Sequence, residues 1–241
     1  MGKELTREER VLVYRKHQMF NKRADRWLET MPVAFKGHNM EDLLESRWSG
    51  AIASSDIATL RRWMSEPTPF IILHGPSGLG KTLMGMLICE KMLRSGKVNS
   101  AFYIPTTKLL DGLSDYSDRD QGGVLGRVKK PDLLFLDDIG SGGMDMTATR
   151  RTGLWELIDH RWSTGKPTII TTNLAVNEKS EDDFGDAAYT IEDYVGVSAW
   201  DRMSDRQVDI PFIGETHREK EEDSIADKRK ARARARARRQ R

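Results

Sequence analysis

The chain has a single cysteine in 241 residues. That excludes a disulfide framework. Cys89 lies in the apolar run "LMGMLICEKML", where it reads as a core residue in a reducing compartment. No stretch approaches the roughly 18 consecutive apolar residues of a membrane span. The charged start "MGKELTREER" lacks the apolar region of a secretion signal. The expectation is a cytoplasmic protein with no membrane association. The five histidines show no metal-ligand spacing, so a zinc site is not expected. No internal repeat is visible. What is present is 38% hydrophobic residues, enough for a core, and 32% charged residues. This length suits one large domain with appendages, or two small ones.

The net charge of +2 conceals an asymmetry. Residues 228–241, "KRKARARARARRQR", carry nine Lys and Arg and no acid, leaving 30 basic against 37 acidic residues in the body. Alternating Ala and Arg gives no helical face, and like charges four apart repel. The expectation is a disordered basic tail that contacts phosphate backbones with little sequence preference. A solvated tail, or one folded against "REKEED", is the alternative. At the other end, Thr6 and Glu9 form a capping box. Val11, Leu12, Met19, Phe20, Trp27, Leu28 and Met31 follow at near-helical spacing with basic residues interleaved. This predicts an amphipathic helix ending near Pro32. It either packs on its own domain or docks another protein, and both readings stay open.

Between these ends helix and strand alternate. Strands are predicted at "FIIL" (70–73), "AFYI" (101–104), "DLLFLDD" (132–138), "TIITT" (168–172) and within "RQVDIPF". Helices are predicted over 81–95, from "TKLLDGL", over 147–162, and in "IEDYVGVSAWDRMSD". Strands separated by helices specify a parallel sheet in a three-layer α/β domain. The divisions expected are a helical extension over 1–45, the α/β domain over 46–217 and a charged tail over 218–241.

The chemistry concentrates at strand ends. Gly75-Pro76-Ser77-Gly78-Leu79-Gly80-Lys81-Thr82 fits G-x-x-x-x-G-K-[ST] after a strand and before a helix. Glycines let successive N–H groups turn toward phosphate oxygens, and the helix start adds its own N–H groups and dipole. Leu83 continues that first turn. Lys81 is expected at the β- and γ-phosphates and the Thr82 hydroxyl on Mg²⁺. In "LLFLDDIG" four apolar residues run into Asp137, placed to hold Mg²⁺, and Asp138, placed to polarise an attacking water. "KPTIITTNL" ends a strand in Asn173, whose neutral amide can bond a γ-phosphate or that water. Each acidic or amide residue could instead be an ordinary strand-ending turn. The three motifs together favour ATP with Mg²⁺.

The set "ILHGPSGLGKT", "LLFLDDIG" and "LWELIDHRWSTGKPTIITTNL" resembles the AAA+ ATPases of the DnaC/IstB type, that is, replicative helicase loaders and their transposition-helper relatives. "MPVAFKGHNMEDL" resembles the segment leading into their ATPase core. The likeness covers roughly residues 35–215. It implies a P-loop fold with the strand "AFYI" inserted between the Walker A and Walker B strands, and the Asn173 strand seated between those two. It further implies ATP hydrolysis, ATP-dependent homo-oligomerisation and a catalytic arginine supplied by a neighbouring subunit. Arg202 in "SAWDRMSDR" is the matching position and Arg206 the reserve. The function implied is a DnaC-like loader of a replicative DNA helicase that also binds single-stranded DNA. The alternatives are an IstB-like helper of a DNA transposase, or a nucleic-acid-binding module with a purely structural nucleotide site.

Overall fold

A computed structural model describes residues 6–45, 51–114, 123–141, 146–176 and 189–214. The Arg-rich tail and the acidic stretches "SDYSDRDQGG" and "EKSEDDFGD" fall largely or wholly outside these residues. The elements run α1 (Arg7–Thr30), α2 (Met40–Glu45), α3 (Ser54–Ser65), β1 (Phe70–His74), α4 (Lys81–Arg94), β2 (Ala101–Pro105) and α5 (Thr106–Ser114). They continue α6 (Val124–Lys129), β3 (Leu133–Ile139), α7 (Ala148–Ser163), β4 (Thr168–Thr172), α8 (Ile191–Val195), α9 (Val197–Ser204) and β5 (Val208–Pro211). A short 3-10 turn, Val33–Phe35, follows α1.

Five parallel strands form one sheet in the order β2-β3-β4-β1-β5. Strand alternation divides their side chains between two helical layers. Ile71, Leu73, Leu133, Phe135, Ile169 and Ile210 join a core with α1 to α4. Phe70, Ile72, Leu134, Leu136 and Ile170 join a second core with α5 to α9. Burial on both faces is why these strands read as continuous apolar runs. β4 lies between β1 and β3, as the inserted strand implied, so three strand ends meet at one edge.

The predicted capping box is formed: Thr6 N–H donates to Glu9 Oε2 (2.7 Å) and Glu9 N–H to Thr6 Oγ1 (3.3 Å). Helix α1 then has two unlike halves. Ala24, Trp27 and Met31 are buried in the α4 core, and the Trp27 indole N–H donates to the Met86 carbonyl at 2.9 Å. Residues 6–19 are exposed, Leu12 by 56% and Tyr14 by 65%. The packed reading holds for the second half of the helix, and the first half is exposed.

The predicted helical stretch "IEDYVGVSAWDRMSD" forms two helices, α8 and α9, parted at Gly196 with φ +91° and ψ 151°. That backbone is open to glycine and rarely to other residues, and it re-aims the chain after a single turn.

At the far end of the sheet Arg161 of α7 is wholly buried. Its guanidinium donates to the carbonyls of Pro131 (2.8 Å), Asp132 (3.0 Å) and Pro167 (2.5 Å) and to Thr168 Oγ1 (2.9 Å). One side chain thereby ties the end of α7 to the starts of β3 and β4. Among the described residues no helix is long and apolar enough to cross a membrane.

Candidate functional site

The turn after β1 bends back on itself to begin α4. Gly75, at φ +127°, passes so close to the chain after β5 that a Cβ there would stand 2.2 Å from the Phe212 carbonyl oxygen. Gly80 caps α4 at φ +85° and leaves the first N–H groups of the helix open to the turn. Both positions therefore need glycine for steric reasons. Lys81 is 6% exposed and folds back under the turn. Its Nζ donates to the carbonyls of Gly75 and Pro76 (2.6 Å each) and to Asn173 Oδ1 (2.8 Å). The ammonium thus ties the turn after β1 to the residue after β4.

Beside it, Asp137 lies in the last half of buried β3 and is 6% exposed. Its Oδ1 accepts from Thr82 Oγ1 (3.0 Å) and Thr171 Oγ1 (2.5 Å), and its Oδ2 from the Tyr103 hydroxyl (3.1 Å). The Thr106 hydroxyl holds its carbonyl at 2.9 Å. Burial raises the Asp137 carboxyl above the usual carboxylate range, and the three hydroxyl bonds counter this in part. Burial likewise raises the Tyr103 hydroxyl, with the Asp137 charge beside it. A buried carboxylate bonded by hydroxyls, beside a threonine that can turn an oxygen outward, suits a hard divalent cation. Thr82 and Asp137 are the residues that could hold Mg²⁺ here, which would supply charge neutralisation for a polyphosphate.

Asp138 adopts φ +63°, outside the range of ordinary strand residues. Its N–H donates to Thr171 Oγ1 at 2.7 Å, and the β3–β4 pairing shifts register between Leu136 and Ile139. This bulge turns consecutive residues to different uses: Asp137 faces α4, and Asp138 lines the cleft. Ser77, Gly78, Gly80, Lys81, Thr82, Leu83 and Asn173 line the same cleft of about 480 Å³, a volume in the range of a nucleotide site. Leu79, in the same turn, buries its side chain in the core at 1% exposure, leaving only its backbone for a phosphate.

Sequence reasoning missed several members of this site. Thr171, Tyr103 and Thr106 act on Asp137 through strand pairing, which no local pattern displays. Ala34, Phe35 and His38 form a further wall of the cleft. They belong to "MPVAFKGHNMEDL", so a signal existed without individual residues. Arg202 and Arg206 are not among the residues lining the cleft. Arg202 pairs with Asp159 (3.2 Å) and Asp201 (2.8 Å) and lies 4.6 Å over the Trp162 ring. Arg206 pairs with Asp205 at 3.5 Å.

The raised Asp137 carboxyl has a signed consequence. Its folded pKa exceeds the unfolded one, so the ion-free fold is favoured on the acid side and loses stability as pH rises through that raised value. Asp137→Asn has no charge to bury. Its ion-free melting temperature should rise by roughly 3 °C near neutral pH. Its Mg²⁺-dependent gain in nucleotide affinity should vanish. Thermal melts with EDTA and nucleotide titrations with Mg²⁺ check the two halves; an unchanged or lower melting point contradicts the first.

Comparison with known proteins agrees with this geometry. The family model described as IstB-like ATP binding protein matches residues 11–224. A putative ATP-binding protein in an insertion sequence of Mycobacterium tuberculosis is 36% identical over 123 residues, 51% of this chain and 47% of that protein. Subunit RuvB 1 of the Holliday junction branch migration complex from a Synechococcus species is 30% identical over 116 residues, 45% of this chain and 28% of that protein. The chain thus spans less than half the length of these curated relatives. Among solved structures, that of the DnaC helicase loader superposes with a TM-score of 0.54 at 19% identity, covering 74% of this chain and 99% of that one. DnaI gives 0.52 at 18% identity, covering 78% and 94%. These two likenesses establish a shared P-loop α/β fold, and the match along most of its length makes the chain a member of the IstB-like ATP-binding protein family.

Proposed function

We propose that the chain is an ATP-dependent loader of a replicative DNA helicase, with Mg²⁺–ATP binding and slow hydrolysis switching its hold on the partner and on single-stranded DNA. The observation that carries this reading is the convergence of Lys81, Thr82, Asp138 and Asn173 on one cleft, with Asp137 bonded to Thr82 behind it. In this reading Lys81 and the turn hold the phosphates, and Thr82 and Asp137 hold the metal. Asp138 polarises the attacking water, and Asn173 bonds the γ-phosphate or that water. Arg202 of a neighbouring copy completes the site. That role requires Arg202 to leave Asp159 and Asp201.

The helicase as partner is supported by the shared fold with the DnaC helicase loader along nearly all of that chain. The exposed half of α1 supports a docking element. Val11, Leu12, Val13, Tyr14 and Met19 stand in solvent on a helix anchored at its other end. A second reading, helper of a DNA transposase, is favoured by the insertion-sequence relative and by the family itself.

Calorimetry with Mg²⁺–ATP tests the common part, and absence of binding heat sinks both readings. Capture assays with purified replicative helicase and with transposase then separate them. Removing residues 1–16 should abolish capture of the partner while ATP affinity and melting temperature stay unchanged, because the core begins at Ala24. Full-strength capture by the truncated chain would remove α1 from the docking role.

A further inference from the structure

We infer that Tyr103 is a positioning residue for the metal-holding carboxylate: its hydroxyl, 3.1 Å from Asp137 Oδ2, sets the plane in which that carboxylate meets Mg²⁺. The inference rests on the nucleotide reading above and concerns the same site.

The terminal torsion of an aspartate is soft, so a carboxylate bonded at one oxygen can swing about it. At Asp137 two hydroxyls, from Thr82 and Thr171, reach Oδ1. Thr82 is itself a prospective metal ligand, and Thr171 also accepts the Asp138 N–H. The Tyr103 hydroxyl is the donor to Oδ2, and it anchors the second oxygen.

Strand register explains why a tyrosine serves here. Tyr103 pairs with Phe135 and Pro105 with Asp137, so Tyr103 lies two residues behind its target on the same sheet face. Two residues of strand span about 6.6 Å, the reach of a phenol and beyond that of serine or threonine. The ring is held in place as well. It lies 5.2 Å from the Phe135 ring at 51°. Phe135 in turn fills the space over Gly85 of α4, where a Cβ would stand 2.4 Å from the ring. Helix, two rings and carboxylate form one packed series, and groups that orient a ligand in this way commonly change metal affinity tenfold or more.

The test is Tyr103→Phe, which keeps the ring and removes the donor. Binding of a fluorescent N-methylanthraniloyl ATP would be followed with EDTA and through a Mg²⁺ titration. The expected result is unchanged affinity in EDTA and a Mg²⁺ half-saturation about tenfold higher. In an Asp137→Asn background the same substitution should have no further effect, because Tyr103 acts through that carboxylate. An unchanged Mg²⁺ dependence overturns the inference. So does an equal loss with and without Mg²⁺, the mark of a packing residue, or a full additional loss in the Asp137→Asn background. Failure of the wild-type chain to bind the analogue would overturn the nucleotide reading itself, a distinct outcome.

Discussion

An Asp138→Asn variant should bind Mg²⁺–ATP as tightly as the wild type and hydrolyse it about 10²–10³-fold more slowly, the usual scale for loss of a general base. Asp138 lines the cleft while Asp137 lies behind it, bonded to Thr82, Thr171 and Tyr103. The two acids therefore stand in different settings. Removing the Asp138 charge leaves the Asp137 carboxylate and its three hydroxyl bonds intact. The substitution is also gentle on the backbone. The residue sits at φ +63°, and asparagine tolerates the left-handed region about as well as aspartate. The N–H bond to Thr171 Oγ1 persists, since it belongs to the main chain. Phosphate release under single-turnover conditions gives the rate, and calorimetry the affinity. Turnover within threefold of wild type would remove Asp138 from the chemistry. A matching loss of affinity would assign it to binding instead.

The second large effect lies far from the cleft. Arg161→Met should destabilise the fold by about 3–5 kcal/mol, the range for breaking a buried, fully bonded charged group. The melting temperature should fall by about 10 °C at the 2–4 °C per kcal/mol expected for a domain of this size. Methionine replaces much of the volume, so the loss reports the bonds rather than a void. The Pro131 and Asp132 carbonyls and the Thr168 hydroxyl would lose this donor, and the Pro167 carbonyl would keep only the Leu134 N–H. Burial pushes the guanidinium pKa down to about 10, with Asp132 opposing, so the group is still charged at neutral pH. Its charge is spread over backbone dipoles at the C-terminal end of α7, a favourable place for a cation. Arg161→Lys keeps the charge but has one point of donation where the fork has three nitrogens. It should fall between the two. A melting point for Arg161→Met within 2 °C of wild type would show that water satisfies the freed carbonyls.

How much of this was legible beforehand differs from residue to residue. The strand and helix pattern was readable because a sheet covered on both faces demands uninterrupted apolar strands such as "FIIL" and "LLFL". The phosphate turn was readable because its glycines answer a local steric demand, with Gly80 at φ +85° and Gly75 pressed against Phe212. Asp137 and Asp138 were readable as a pair. Their separate orientations were not, since the bulge that parts them arises from pairing with β4. No local pattern sets Tyr103 apart, and only the register of β2 and β3 places it behind Asp137. No local pattern marks Arg161 for burial, and only the meeting of α7, β3 and β4 buries it.

By itself, then, the order of residues determined what is local: which segments are strand or helix, where glycines let the chain bend sharply, and which side chains are candidates for the chemistry. The tertiary structure alone decided which hydroxyls bond the Asp137 carboxylate, which half of α1 belongs to the core, and that Arg202 is paired within its own chain. The reason is physical. Backbone conformation and periodicity depend on neighbours a few residues apart, whereas hydrogen bonds between strands 34 residues apart, as from Tyr103 to Asp137, exist only once the sheet has chosen its order.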